Sequence, residues 1–262
     1  RYGSSKVWIV NPNATQAEEF KIGELDLSSY VENNSGNTPS PAAAKVADGK
    51  LFIAMQRIDD NWSPQTAYVA VFDTNTDTEI ETNASTADSV KGIPLSGVNP
   101  LEQSLYVFED ELFVTTRDSF SSMDLSGSMI EAIDTETFEL RQVLQATDIS
   151  DNVSASIQSS VIESAEKGYF FATRSVFEPA YHEVSTLYQF NPTTGEITAE
   201  KVAGTGEEDI NFIAYDPQGY LWLSIGSDTT PGVDVIDTSS NSLFTERLLT
   251  DLNPNAVGFV QP

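Results

Sequence analysis

The sequence predicts an all-β chain built as a β-propeller of four-stranded antiparallel blades, and three observations carry that prediction. Five times a short β-type run stops at a small polar turn: Val7–Asn11–Pro12, Tyr68–Asp73–Thr74, Met129–Asp134–Thr135, Leu187–Asn191–Pro192 and Val233–Asp237–Thr238. The turn residues follow one another at intervals of 62, 61, 57 and 46. Asp48–Gly49, Glu166–Lys167–Gly168 and Pro217–Gln218–Gly219 stand before apolar runs, and glycine there supplies the positive φ of a tight hairpin. No helical period interrupts the copies, and repetition of this kind without helices marks a propeller.

The elements follow in order. Lys6–Asn11 reads as a third strand and Glu19–Leu27 as a fourth, with no first or second strand ahead of them. The first full copy is Ala43–Val46, Leu51–Gln56, Ala67–Asp73 and a strand around Glu79–Glu81. The second is Leu105–Phe108, Leu112–Arg117, Ser128–Asp134 and Phe138–Val143. The third is Ser160–Ser164, Tyr169–Arg174, Thr186–Phe190 and Glu196–Glu200. The fourth is Phe212–Tyr215, Tyr220–Ile225, Val233–Asp237 and Leu243–Leu248, after which Asn253–Val260 reads as a lone first strand. The second strands are continuously apolar, as buried strands should be, whereas the third strands alternate. The expectation is one propeller domain over 1–262, with blades at 40–82, 99–143, 157–201 and 209–249 and partial blades at 1–30 and 253–262. A blade assembled from both ends would still lack its second strand, so a longer propeller, or completion by another chain, is expected. A closed five-blade ring is the alternative. Open sheet edges invite pairing with further strands.

Composition narrows the function. Thirteen basic and 40 acidic residues give a net charge of −27, which repels nucleic acid and anionic membrane at long range. It fits an acidic, soluble surface or one that captures cations or a basic partner. The absence of cysteine excludes disulfides, thiolate metal sites and cysteine nucleophiles. No apolar run is long enough to span a membrane. The chain opens on Arg1 rather than Met, so a leader or a longer upstream region is expected.

Ile213–Gly226 (IAYDPQGYLWLSIG) followed by Val233–Thr238 (VDVIDT) resembles the repeats of NHL-type and two-component-regulator-type propellers. Arg1–Tyr2–Gly3–Ser4 followed by Val7–Pro12 resembles the YVTN-type repeats of bacterial surface propellers. The resemblance covers nearly the whole chain. It implies a propeller exported to the periplasm, cell surface or extracellular space. It leaves activity open, because such propellers include scaffolds, sensors, carbohydrate binders, lyases and lactonases.

Aligning the copies on their second strands locates a candidate site. The strand ends are Arg1, Gln56 (with Arg57 next), Arg117, Arg174 and Gly226, and they precede the turn residues by 10, 17, 17, 17 and 11 positions. Three consecutive blades therefore carry longer loops at 57–66, 118–127 and 175–184, all expected on one face. Fixed blades let such loops vary and carry function. The loops hold Asp59, Asp60 and Trp62; Phe120, Met123 and Asp124; and Phe177, Glu178, Tyr181, His182 and Glu183. Arg57, Arg117 and Arg174 form a rim of guanidinium groups able to bind carboxylate or phosphate bidentately. The structural alternative is that each arginine pairs with an acid of its own or the adjacent blade, as Arg117 with Asp118 or Arg57 with Asp59 and Asp60. Trp62 and Tyr181 could stack on sugar rings or insert into a partner, and His182 is the chain's only histidine.

Asp73, Asn75, Asp77 and Glu79 have the alternate spacing of oxygen ligands in calcium loops, without the central Gly and distal Glu of an EF-hand. Calcium is thus the one cofactor the pattern admits. No Gly-rich phosphate loop, HExxH or GxSxG motif occurs. The expected function is a non-catalytic binding or scaffold propeller whose loop face contacts a protein or glycan partner. The alternatives are a divalent-metal hydrolase, lactonase or lyase with a carboxylate site near the axis, and a subunit of a larger extracellular assembly.

Overall fold

The chain is seen in a computed structural model that describes residues 3–31, 38–82, 90–119, 125–149, 154–199, 202 and 208–259. Among these residues five antiparallel sheets follow one another along the chain. The first has two strands, β1 (Lys6–Val10) and β2 (Lys21–Asp26). The second contains β3 (Pro41–Ala47), β4 (Lys50–Met55), β5 (Tyr68–Asp73) and β6 (Thr78–Glu79), with β7 (Ile93–Pro94) also on β5. The third contains β8 (Leu105–Phe108), β9 (Glu111–Arg117), β10 (Ser128–Asp134) and β11 (Leu140–Gln145). The fourth contains β12 (Ser156–Ser164), β13 (Lys167–Val176), β14 (His182–Phe190) and β15 (Ile197–Ala199). The fifth contains β16 (Asp209–Asp216), β17 (Tyr220–Gly226), β18 (Gly232–Asp237) and β19 (Ser242–Leu243), with β20 (Leu248–Leu249) also on β18. Each full sheet is a simple meander, first strand to fourth. The first strands β3, β8, β12 and β16 touch in succession, so they lie nearest a common axis. The fold is a β-propeller.

Blades pack face to face because alternate residues of each strand point to opposite neighbours. Leu25, Leu27, Ile53 and Met55 fill the space between the first two sheets, and Phe52, Val69, Leu112 and Val114 that between the second and third. Phe113, Ile130, Phe170 and Phe190 fill the next, and Tyr169, Phe171, Leu221 and Leu223 the last. Each fully buried Leu, Ile or Phe contributes about 2 kcal/mol of apolar burial. Polar latches add register. The hydroxyl of buried Ser128 accepts the backbone N–H of Ile157 on the next blade at 2.9 Å, and that of Ser185 accepts Ile210 N–H at 2.9 Å.

The third-to-fourth-strand turns share one device. Asp73, Asp134, Asn191 and Asp237 each accept, on a side-chain oxygen, the N–H of the residue two positions on. An Asx side chain closing such a turn explains why Asp and Asn recur there.

Three sequence expectations are corrected. Residues 19–20 lie in a single helical turn, Ala17–Phe20, so the fourth strand starts later, at Lys21. Two fourth strands are broken: β6 and β7 pair with opposite ends of β5, and β19 and β20 with opposite ends of β18. Residues 253–259 form no strand. They lie on the last blade, with Asn211 Nδ2 donating to Pro254 O at 3.2 Å and Phe259 edge-on to Trp222 at 5.9 Å between ring centroids.

Candidate binding face

Because every full blade meanders in the same sense, the connections between second and third strands emerge together at one end of the sheets. The loop at 57–66 is compact. Ile58 bridges Pro64, and Asp59 accepts the N–H groups of Asn61 and Ser63 at 2.8 and 2.9 Å. This folds the tip so that Trp62, at positive φ, stands 67% exposed. The 175–184 loop is shorter than expected, since β13 and β14 stay paired as far as Val176 and His182. Its tip is Phe177–Tyr181, with the two rings 5.6 Å apart and exposed by 70% and 62%. Tyr181 Oη donates to Glu183 at 3.2 Å. In the 118–127 loop, Phe120, Met123 and Asp124 lie outside the described residues. Its base is closed by Asp118, whose Oδ2 accepts the N–H of Gly127 at 2.6 Å and whose Oδ1 accepts that of Ser119.

The arginines are not equivalent. Arg117 lies opposite Ser128, six residues before the turn residue Asp134; Arg174 lies opposite Val184, seven before Asn191. A one-residue offset reverses the face to which a side chain points. Arg57 belongs with Arg174 in this register, while Arg117 matches Gln56. Arg57 turns toward the first sheet. Its Nε donates to Tyr30 O at 2.9 Å, its Nη1 to Thr66 O at 2.8 Å, and its guanidinium lies 4.9 Å over the Tyr68 ring. It pins blade to blade through carbonyls, with Asp59 occupied by its own loop.

Arg117 shares its face with Phe113 and Thr115, which pack on the fourth blade; the Thr115 hydroxyl is 2.9 Å from that of Ser160. Arg174 shares its face with Phe170 and Ala172, which pack back on the third blade. The offset therefore aims both arginines into one crevice between these blades, at the loop end. His182, opposite Val176, lies on the Arg174 face, exposed, with Nδ1 2.9 Å from Ala180 O. Among the described residues neither Arg117 nor Arg174 forms an ion pair or side-chain hydrogen bond, and the buried Nε of Arg117 has no partner. Burial lowers the Arg117 pKa, while the charges of Glu102, Glu183 and Asp209 push it back up. Arg141 and Arg247, outside the predicted rim, are the arginines that meet acids: Arg141 forks onto Glu111 with two 2.8 Å bonds, and Arg247 joins Asp234 and Glu208.

Two buried amide oxygens also stand unmatched. Gln103 donates to Asn211 O at 2.8 Å and its backbone accepts the Ser159 hydroxyl at 2.9 Å, but its Oε1 has no partner. Gln56 donates to Asn99 at 2.6 Å and leaves its Oε1 unmatched. Sequence reasoning singled out the arginines and the aromatics, noted Gln56 only as a strand end, and passed over Gln103, which carries no motif.

The calcium-spaced residues sit in a turn. Asp73 Oδ1 accepts the N–H groups of Asn75 and Thr76 at 2.8 and 2.9 Å, which lowers its pKa. Asp77 holds a positive φ, and Glu79 turns inward to accept the Tyr30 hydroxyl at 2.5 Å. Desolvation raises the Glu79 pKa. No group of three or more His, Asp or Glu side chains able to hold a metal occurs among the described residues.

No protein-family model and no curated protein sequence matches the chain. Solved structures do. A GH74 xyloglucanase from Xanthomonas campestris aligns with a TM-score of 0.52 at 14% identity, over 84% of this chain and 32% of the enzyme. The Dos1 propeller aligns with a TM-score of 0.52 at 14% identity, over 85% of this chain and 54% of that one. The chain thus spans about a third and about half of these two proteins, and the likeness is one of fold. No helix among the described residues is long and apolar enough to cross a membrane.

Proposed function

We propose that this is a non-catalytic binding propeller that holds a glycan on its long-loop face, with a carboxylate-bearing sugar in the crevice between the third and fourth blades. One observation carries the reading. In a chain with 40 acidic and 13 basic residues, Arg117 and Arg174 lie on the two sides of one inter-blade interface and form no ion pair among the described residues, and Glu102, Glu183 and Asp209 reach Arg117 only through longer-range charge. A desolvated cation of that kind is costly unless an anion completes it. The exposed rings of Trp62, Phe177 and Tyr181 provide faces for sugar rings. Location outside the cytoplasm, at the cell surface or in the periplasm, belongs to the same reading and rests on the YVTN-type resemblance of the N-terminal repeat.

The test is titration calorimetry against a panel of uronate-bearing and neutral oligosaccharides, at moderate salt so that the net charge of −27 is screened. A uronate oligosaccharide is expected to bind. Arg117→Gln should weaken it by about tenfold to a hundredfold, the loss of a charge-assisted hydrogen bond worth about 1.5–3 kcal/mol. Trp62→Ala with Tyr181→Ala should weaken neutral and acidic sugars alike. Binding to no member of the panel, or binding indifferent to all three substitutions, would reject the proposal. A protein ligand that the same substitutions abolish would replace the glycan by a polypeptide.

A further inference from the structure

The only histidine of the chain stands on the face that carries Arg174. In the pairing of β13 with β14, His182 lies opposite Val176, two residues along β14 from Val184, the partner of Arg174. Residues two apart on a strand point to one face, and cross-strand partners share that face. His182 and Arg174 are therefore diagonal neighbours on the face whose Phe170, Tyr188 and Phe190 pack against the third blade. Such neighbours have backbones about 7–8 Å apart, within reach of aromatic and long side chains.

The imidazole is already oriented. Its Nδ1 lies 2.9 Å from the carbonyl oxygen of Ala180. A carbonyl only accepts, so Nδ1 carries the proton, and Nε2 is the lone-pair nitrogen of the neutral ring. The side chain is exposed and forms no ion pair among the described residues. The charged groups around it sort by face. Arg174 shares its face, and Arg117 enters the same interface from the third blade. Glu183 pairs with Ser175 on the reverse face and accepts the Tyr181 hydroxyl at 3.2 Å. Asp118 is occupied by the N–H groups of Ser119 and Gly127, and Glu178 belongs to the loop tip beside Phe177.

We infer that His182 is a third anion-binding residue of the Arg117–Arg174 crevice and makes its grip on a carboxylate depend on pH, an inference that rests on the carboxylate-binding role proposed above. The neutral ring offers a carboxylate only a lone pair at Nε2. The protonated ring offers a charge-assisted N–H and a third cation. Binding in mild acid thus takes up one proton from solvent onto Nε2, and the ligand is held more tightly there than in mild alkali. The chain isolates this effect. It has no cysteine and one histidine, and a sugar carboxylate stays ionised across the range in which imidazole changes charge.

Tetrasaccharides of galacturonate and of glucuronate are the probes, with cellotetraose as the neutral control, each titrated by calorimetry at pH 5.5 and pH 8 in moderate salt. Affinity for the uronate should rise about three- to tenfold from the higher pH to the lower, the range of one partly exposed ion pair up to a charge-assisted bond. Cellotetraose should show no such rise. His182→Gln should keep the affinity seen at pH 8 and lose the rise, and His182→Arg should hold the acid-side affinity at both pH values. His182 is exposed, so both variants should fold. A uronate affinity that changes less than twofold, a rise shared by cellotetraose, or a rise that survives His182→Gln would overturn the inference. Any of these, with uronate binding still weakened by Arg117→Gln, leaves the proposed role of the crevice standing. Binding of neither uronate at either pH would overturn both.

Discussion

Glu131 offers the sharpest test of how the blades are joined. It sits on β10, fully buried, among Val69, Val114 and other apolar residues of the interface between the second and third blades. Its two carboxylate oxygens accept the consecutive N–H groups of Ser96 and Gly97, each at 3.0 Å. Those two residues belong to the segment that carries the chain from β7 into the third blade. Glu131→Gln keeps the shape, but its amide has one acceptor for two donors. One N–H must then face an NH2 group and remain unsatisfied. Losing one hydrogen bond to a charged acceptor and stranding one buried donor should cost about 2–4 kcal/mol together. At about 2–4 °C per kcal/mol for a chain of this size, Tm should fall by roughly 5–15 °C. Glu131→Asp keeps the charge but is one methylene too short, and should cost about as much. The assay is urea and thermal unfolding of the three proteins, with an unchanged m-value confirming that the native state alone is altered. A Glu131→Gln protein melting within 1 °C of the parent would refute the clamp.

Two further outcomes follow from local geometry. A Cβ at Gly97 would lie 2.0 Å from Thr116 Oγ1, which itself donates to Gly127 O at 2.9 Å, so Gly97→Ala should cost about 1–3 kcal/mol. Thr116→Ala should recover part of that loss in the double variant, and additive melting temperatures would show that the contact is not the cause. Acid stability is the second. N–H donors of the turn hold Asp73 and Asp134 below the usual carboxylate range, the Ser239 hydroxyl together with its N–H does so for Asp237, Arg247 does the same for Glu208, and Lys6 with Ser28 brings Asp26 to about 2. Depressed folded-state values contribute stability that is present above the unfolded pKa of about 4 and lost as pH falls through the folded values. Tm in 0.5 M salt should therefore stay level down to about pH 4 and decline toward pH 2. Asp134→Asn should fold normally and weaken that decline, because Asn191 closes the equivalent turn with the same N–H contacts at 2.9 and 3.0 Å. A decline already complete at pH 5 would contradict the assignment.

The strands were legible because they depend on local apolar patterning. Leu105–Phe108 and Ser128–Asp134 match their predicted bounds, and the other second and third strands differ by a few residues at their ends. What escaped depends on register and on distant partners. Counting back from the turn residues put Arg117 and Arg174 on a common footing, yet the ladders offset them by one residue and so turn them toward the same inter-blade interface from its two sides. The Ser128 and Ser185 latches and the Glu131 clamp use residue types that also populate ordinary surface strands. Asn253–Val260 has the apolar content of a strand, but through residue 259 it finds no ladder and lies against Trp222 instead.

The arginines divide by what their guanidinium groups meet. Of the described arginines, Arg57 satisfies carbonyls, Arg141 and Arg247 satisfy acids, and Arg117 and Arg174, on the two sides of one inter-blade interface, form no ion pair. A buried polar group without a partner is uncommon in folded chains, and the Nε of Arg117 is one. A small anionic group would complete it. Its binding should weaken on Arg117→Gln and should be indifferent to Arg141→Gln, because Arg141 already spends its fork on Glu111. Equal loss in the two variants would show that the effect is one of net charge and not of the unmatched guanidinium.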